Sequence, residues 1–166
     1  MKYMKFIPLL ISLFLLSSCA SLRPATYTGN TSLVGYKYAY ITPTSGLSSS
    51  SGGVYGNEFG IYDTTVSKSI NPSDVISGIL MKNGYILLPE IEDNIRDRTV
   101  IVNYGETGRR NILGGLFGYT IEVTIQILSA DTHEVLCTCT AEGQGETEAD
   151  DIRIAITRAL AMVFPD

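Results

Sequence analysis

The sequence predicts an α+β fold: a mixed, mostly antiparallel sheet built around one long hairpin, with two helices packed on one face. Three observations carry this. Over 119–127, Tyr119, Ile121, Val123, Ile125 and Ile127 alternate with Thr120, Glu122, Thr124 and Gln126, the period of a strand that buries one face. After a polar turn at 129–134 the alternation resumes, with Val135, Cys137, Cys139 and Ala141 inward and Thr138, Thr140 and Glu142 outward. Over 148–164, Ile152, Ala155, Ile156, Ala159, Leu160 and Val163 form a wide apolar stripe at helical spacing, suited to cover the hairpin's inner face.

The chain begins with a segment that reads as a processing signal. Lys2 and Lys5 precede an apolar run at 6–16, and small residues lead to Cys19. A run of about eleven residues is short of the roughly 17 to 25 that span a bilayer as a helix. Leu16-Ser17-Ser18-Cys19 resembles the lipobox of bacterial lipoproteins, which implies a lipoprotein signal peptide over 1–18 and acylation of Cys19; the alternative is ordinary cleavage near Ala20. Residues 19–33, rich in Ser, Thr, Gly, Asn and Pro, suit a flexible tether. Residues 34–166 are then a single α+β domain, long enough for one core.

Within that domain, Tyr36, Tyr38 and Tyr40 share one face of a first strand over 36–41, which Pro43 stops. The low-complexity stretch 44–60 reads as a long loop, with Tyr55, Phe59 and Tyr62 in or beside it folding back onto the domain. A helix is expected over 71–84: Asn71 caps, Pro72 takes the first helical position, Val75, Ile76, Ile79 and Leu80 make the stripe, and Gly84 ends it. A short strand at 85–88 is closed by Pro89. The charged stretch 90–98 lacks the ligand spacing of a calcium loop and reads as a solvated connection. A strand at 99–104 follows. The final helix carries Thr147 with Asp150 as a capping pair, and Glu148 and Asp151 suit its positive start better than they suit a catalytic carboxylate pair.

Composition narrows function. The net charge is −5, and loss of Lys2 and Lys5 with the leader takes it to −7, which argues against nucleic acid and against adhesion to anionic lipid through the surface. Cys137 and Cys139 lie two apart on one strand face, too far for a relaxed disulfide. With His133 the only histidine, they lack the partners of a zinc site. They read as small core thiols, with an intermolecular bridge or a redox role as the alternative. No catalytic residue, metal set or cofactor motif emerges. The Gly-rich stretch 105–118 leads into a strand and lacks the lysine of a phosphate loop. It reads instead as a mobile loop with two cations and an apolar tip. Arg109, Arg110, Ile112, Leu113, Leu116 and Phe117 are its candidate partner-binding residues, unless the apolar ones tuck under a sheet edge.

The lipobox, Tyr36-Lys37-Tyr38 opening the domain, Met81-Lys82-Asn83-Gly84-Tyr85 ending its first helix, the turn from Ser129 to Leu136 and the closing run Ile152 to Pro165 together resemble a family of small envelope lipoproteins of unknown function in Gram-negative bacteria. The element order is more distantly similar to the αβ domains of the curli-secretion lipoprotein, of lipoproteins that activate peptidoglycan synthases, and of the amino-terminal part of the Tol system's propeller protein. The resemblance implies a non-catalytic module that is membrane-linked through its lipid, with an envelope protein or the cell wall as partner. Ala20 after the cysteine implies outer-membrane placement facing the periplasm. A self-assembling pore or secretion subunit is the first alternative. An envelope hydrolase is the second, with His133 as its one candidate base.

Overall fold

The computed structural model describes residues 22–29, 32–44, 47–57, 60–112 and 118–165, with the backbone alone for 47–57 and 60–68. The expected signal segment, with Cys19, lies outside them. Eight strands and two helices form the α+β architecture the sequence predicts: β1 (Thr26–Gly29), β2 (Tyr38–Ile41), β3 (Leu47–Asn57), β4 (Gly60–Ile70), α1 (Pro72–Lys82), β5 (Ile86–Leu88), β6 (Thr99–Asn111), β7 (Tyr119–Ser129), β8 (Val135–Gly143) and α2 (Glu148–Leu160). Six strands make one sheet in the order β1-β8-β7-β6-β2-β5, and β3 with β4 makes a separate two-stranded one. β2 runs parallel to β5 and β6, and the other pairs are antiparallel.

The long hairpin and its helix meet as expected, except at Val135: expected inward, it is 46% exposed, because a register shift after Ile127 turns it outward and Leu136 is buried in the core. Ile121, Val123, Ile125 and Ile127 of β7 and Cys137, Cys139 and Ala141 of β8 are buried with Ile152, Ala155, Ile156, Ala159 and Leu160 of α2. α1 lies beside α2 on the same face and adds Ile76 and Leu80. Each helix starts where the sequence places its cap. Asn71 Oδ1 accepts from the Ser73 amide at 3.3 Å, and Thr147 Oγ1 accepts from the Asp150 amide at 3.3 Å. α2 reaches its floor through Gly143, where β8 passes directly under the helix. A Cβ built there overlaps the Asp151 carbonyl oxygen and lies 2.6 Å from the Ala155 nitrogen.

Three stretches differ from expectation. Thr26–Gly29, within the stretch expected as tether, is a strand on the sheet's edge against β8. An edge strand needs no buried face of its own, so a polar composition does not exclude it. Within the stretch 44–60, expected as a loop, residues 47–57 are strand: β3 and β4 pair from Leu47↔Ile70 to Asn57↔Gly60, and the expected fold-back of Tyr55, Phe59 and Tyr62 lies outside the described side chains. Residues 93–98 of the charged connection form a 3₁₀ turn with no buried residue, in keeping with the solvated turn expected there. The strand expected over 99–104 runs on to Asn111, because β7 pairs with it throughout; a bulge between Glu106 and Gly108 absorbs the glycines. Residues 105–111 are therefore sheet, not mobile loop.

Cys137 and Cys139 are free and buried. The neighbouring Cys137 and burial hold the Cys139 thiol well above its ordinary range. In the native protein neither thiol is expected to react with a small disulfide reagent over minutes, and both are expected to react at once in denaturant. Rapid native labelling would contradict the burial.

Candidate functional site

The chemistry-bearing side chains gather at one end of the sheet, where β6 stops, β7 and α2 begin and β8 ends. The bulge decides their arrangement. Beyond it Arg109 pairs with Ile121 and Arg110 with Thr120. Successive strand residues point to opposite faces, so the two adjacent cations take different carboxylate partners at the same end of the sheet.

Arg109 turns to the helix face. Its guanidinium meets Glu148 Oε1 at 2.5 Å, at the first turn of α2, and lies 5.3 Å from the centre of the Tyr119 ring. The Tyr119 hydroxyl donates to Glu148 Oε2 at 3.3 Å. Tyr104 donates to Glu106 at 3.2 Å; burial and that carboxylate push its phenol far above the ordinary range. The other acids at the helix start are also engaged. Asp150 lies 3.3 Å from Arg153, and Asp151 accepts from the Gly145 amide. Burial pushes the Asp151 carboxyl up. These acids cap and anchor a helix, as the sequence suggests.

Arg110 turns to the open face, where a like-charge problem awaits it. Glu122 and Glu142 sit directly opposite one another on β7 and β8, a pairing that destabilises a sheet unless it is neutralised. Arg110 grips Glu142 with both Nε and a terminal nitrogen, at 2.9 and 2.6 Å. Thr107 donates to Glu122 at 2.9 Å. The Arg23 amide adds a bond to Glu142 at 2.9 Å. Arg110 first, then the Arg23 amide, hold the Glu142 carboxyl at about 2 against the cost of its burial. Arg158 closes the knot by donating to the carbonyls of both Glu142 and Arg23. Arg23, Arg109, Arg110, Asn111, Glu122 and Glu142 line an open cleft of about 420 Å³ here.

Of the predicted partner-binding residues, Arg109 and Arg110 are thus ion-paired parts of β6. Ile112 is buried rather than displayed, with its amide on the Gly118 carbonyl at 3.0 Å. Leu113, Leu116 and Phe117 lie outside the described residues. His133 occupies the β7–β8 turn with φ 58, about one strand length from the arginine end. Among the described residues no group of side chains is arranged to hold a metal ion, and no helix is long and apolar enough to cross a membrane.

No family model matches the chain, and no curated protein does. Among solved structures it overlays on the PelC dodecamer of Paraburkholderia phytofirmans in two crystal forms. A leucine-to-methionine variant is 13% identical with a TM-score of 0.47, and a second form is 10% identical with 0.44; each overlay covers 84% of this chain and 95% of that chain. Overlap at that level transfers neither a fold nor a function.

What sequence reasoning missed is Glu142. It stands in the outward set of an alternating strand, where a glutamate is ordinarily solvated, yet it is 2% exposed. No local signal finds it, because its partners are 119 and 32 residues away in sequence.

Proposed function

We propose that the chain is a lipid-anchored, non-catalytic envelope module that works by assembling with protein, and that the assembling element is the β3–β4 hairpin. One observation carries this. The hairpin has 11 residues in each strand, and among the described residues each strand pairs only with the other. A two-stranded hairpin alone is marginal in water, and long unpaired edges are templates for another strand. The main sheet manages its own edges differently: β1 is 4 residues long and β5 is 3, too short to template much. The hairpin is fastened to the domain by Ile70, which is buried in the core, and its strands approach α2. A second copy of this chain supplies the strand that such an edge pairs with, so the reading is self-assembly rather than capture of a small ligand. The lipobox-like Leu16-Ser17-Ser18-Cys19 supports anchoring, and Ala20 supports the outer membrane.

The test is the size of the acylated protein in detergent, compared with a variant whose residues 48–69 are replaced by a short Gly-Ser turn. The intact chain is expected to run as a discrete oligomer and the variant as a monomer. The variant should keep its cooperative melting, because the six-stranded sheet does not use the hairpin. An oligomer that survives the replacement puts the interface elsewhere; a monomeric intact chain sinks the assembly reading.

A further inference from the structure

Residues 22–29, inside the stretch expected as a tether, are described as part of the fold, so few residues of sequence separate Cys19 from it. Resting on the reading that Cys19 is acylated, we infer that the arginine end of the sheet lies on the phospholipid headgroups. Arg23 is held from both sides: its amide donates to Glu142 at 2.9 Å, and its carbonyl accepts from Arg158 at 2.9 Å. From Arg23 the chain continues into β1 along β8, so everything after this point is part of the fold. Four residue steps separate Cys19 from Arg23, and a fully extended chain covers about 14 Å in four steps. The acyl chains end in the bilayer, so Arg23 and whatever surrounds it are held within that distance of the membrane surface.

What surrounds it is the ion-paired knot. Arg23, Arg109 and Arg110 have side chains 64%, 50% and 34% exposed while already engaging carboxylates. Guanidinium has five N–H donors, so each arginine keeps donors free for phosphate oxygens, which it recognises in a planar, bidentate manner. Glu122, Glu142 and Glu148 interleave with them and keep the patch close to neutral. The surface it fits is therefore zwitterionic headgroup phosphate rather than strongly anionic lipid. The far end of the sheet, at the β7–β8 turn, stands away from the bilayer: β7 has 11 residues, and a strand that long spans about 35 Å.

The experiment uses the full acylated chain bound to phosphatidylcholine vesicles, with a spin label at Asn111→Cys or at Thr132→Cys, two exposed positions at opposite ends of the sheet. The accessibility of each label to a water-soluble nickel chelate is read in detergent-free solution and on vesicles. On vesicles the label at position 111 is expected to lose several-fold in accessibility, and the label at 132 to stay as it was. Inserting twenty Gly-Ser residues between Ser21 and Leu22 is expected to restore the label at 111. Equal accessibility at the two positions overturns the inference, as does protection at 111 that survives the insertion. Flotation with the vesicles and the intact mass of the chain report on anchoring separately. A floating, acylated chain with no asymmetry refutes the orientation alone, whereas a chain without acyl mass on Cys19 refutes the anchoring reading and the orientation with it.

Discussion

Gly143→Ala is expected to cost about 3 kcal/mol, the upper part of the range for overpacking a close contact, and to lower Tm by roughly 10 °C. The reason lies in what the added methyl meets. The Asp151 carbonyl oxygen and the Ala155 nitrogen are both backbone atoms of α2, so no side-chain rotation relieves the overlap. The helix itself must lift from the end of β8. That movement opens the packing of Ile152, Ala155 and Ile156 against the hairpin and disturbs Arg158, which reaches back to the Glu142 carbonyl. Gly78 is the matched control. It lies within α1, and a Cβ there meets nothing within 4 Å. Alanine at Gly78 removes backbone freedom from the unfolded chain and is expected to stabilise by about 0.5–1 kcal/mol. Thermal melts of the two variants should therefore move in opposite directions. A Gly143→Ala protein that melts with the parent would show that β8 and α2 are not in the close contact described.

The same contrast between local and long-range causes explains which parts of the fold were legible. β7, β8, α1 and α2 were readable because each buries one face, so burial is written into the chain at a period of 2 or 3.6. The strand β6 faded from view after Tyr104 because Gly105, Thr107 and Gly108 carry no such pattern; its last turn of pairing is imposed by β7 and corrected by a bulge. The hairpin β3–β4 was hidden by Ser48 to Gly53, whose composition matches a linker, although Ile61, Thr64, Thr65 and Val66 on the partner strand carried a β-branched signal. Arg109 and Arg110 were visible as neighbours in sequence, and only once 105–111 is known to be strand does adjacency mean opposite faces. Arg23 looked like part of a tether because its bonds to Glu142 and Arg158 join segments more than a hundred residues apart.

Glu142 links these segments, and its charge sets a second large effect. Its carboxyl stands at about 2 in the folded protein against an ordinary 4.5. A carboxylate with a depressed pKa binds fewer protons folded than unfolded, so it stabilises the fold above the unfolded value and loses that contribution as pH falls through the folded one. The window is therefore pH 4.5 down to 2, and the contribution at neutral pH is about 2–3 kcal/mol, since each pKa unit corresponds to roughly 1.4 kcal/mol and the partner arginines are partly solvated. Asp151, whose carboxyl is pushed up by burial, acts with the opposite sign, favouring the fold as it takes up its proton. It is common to parent and variant and cancels between them. Glu142→Gln keeps the shape but leaves Arg110 without its ion pair and the Arg23 amide with a weaker acceptor. Urea unfolding is expected to place the variant about 2–3 kcal/mol below the parent at pH 7, with most of that gap closed at pH 2.5. A gap of the same size at both values would mean that Glu142 acts through packing alone, and the charge knot would lose its role in holding Arg23, β6 and α2 to one end of the sheet.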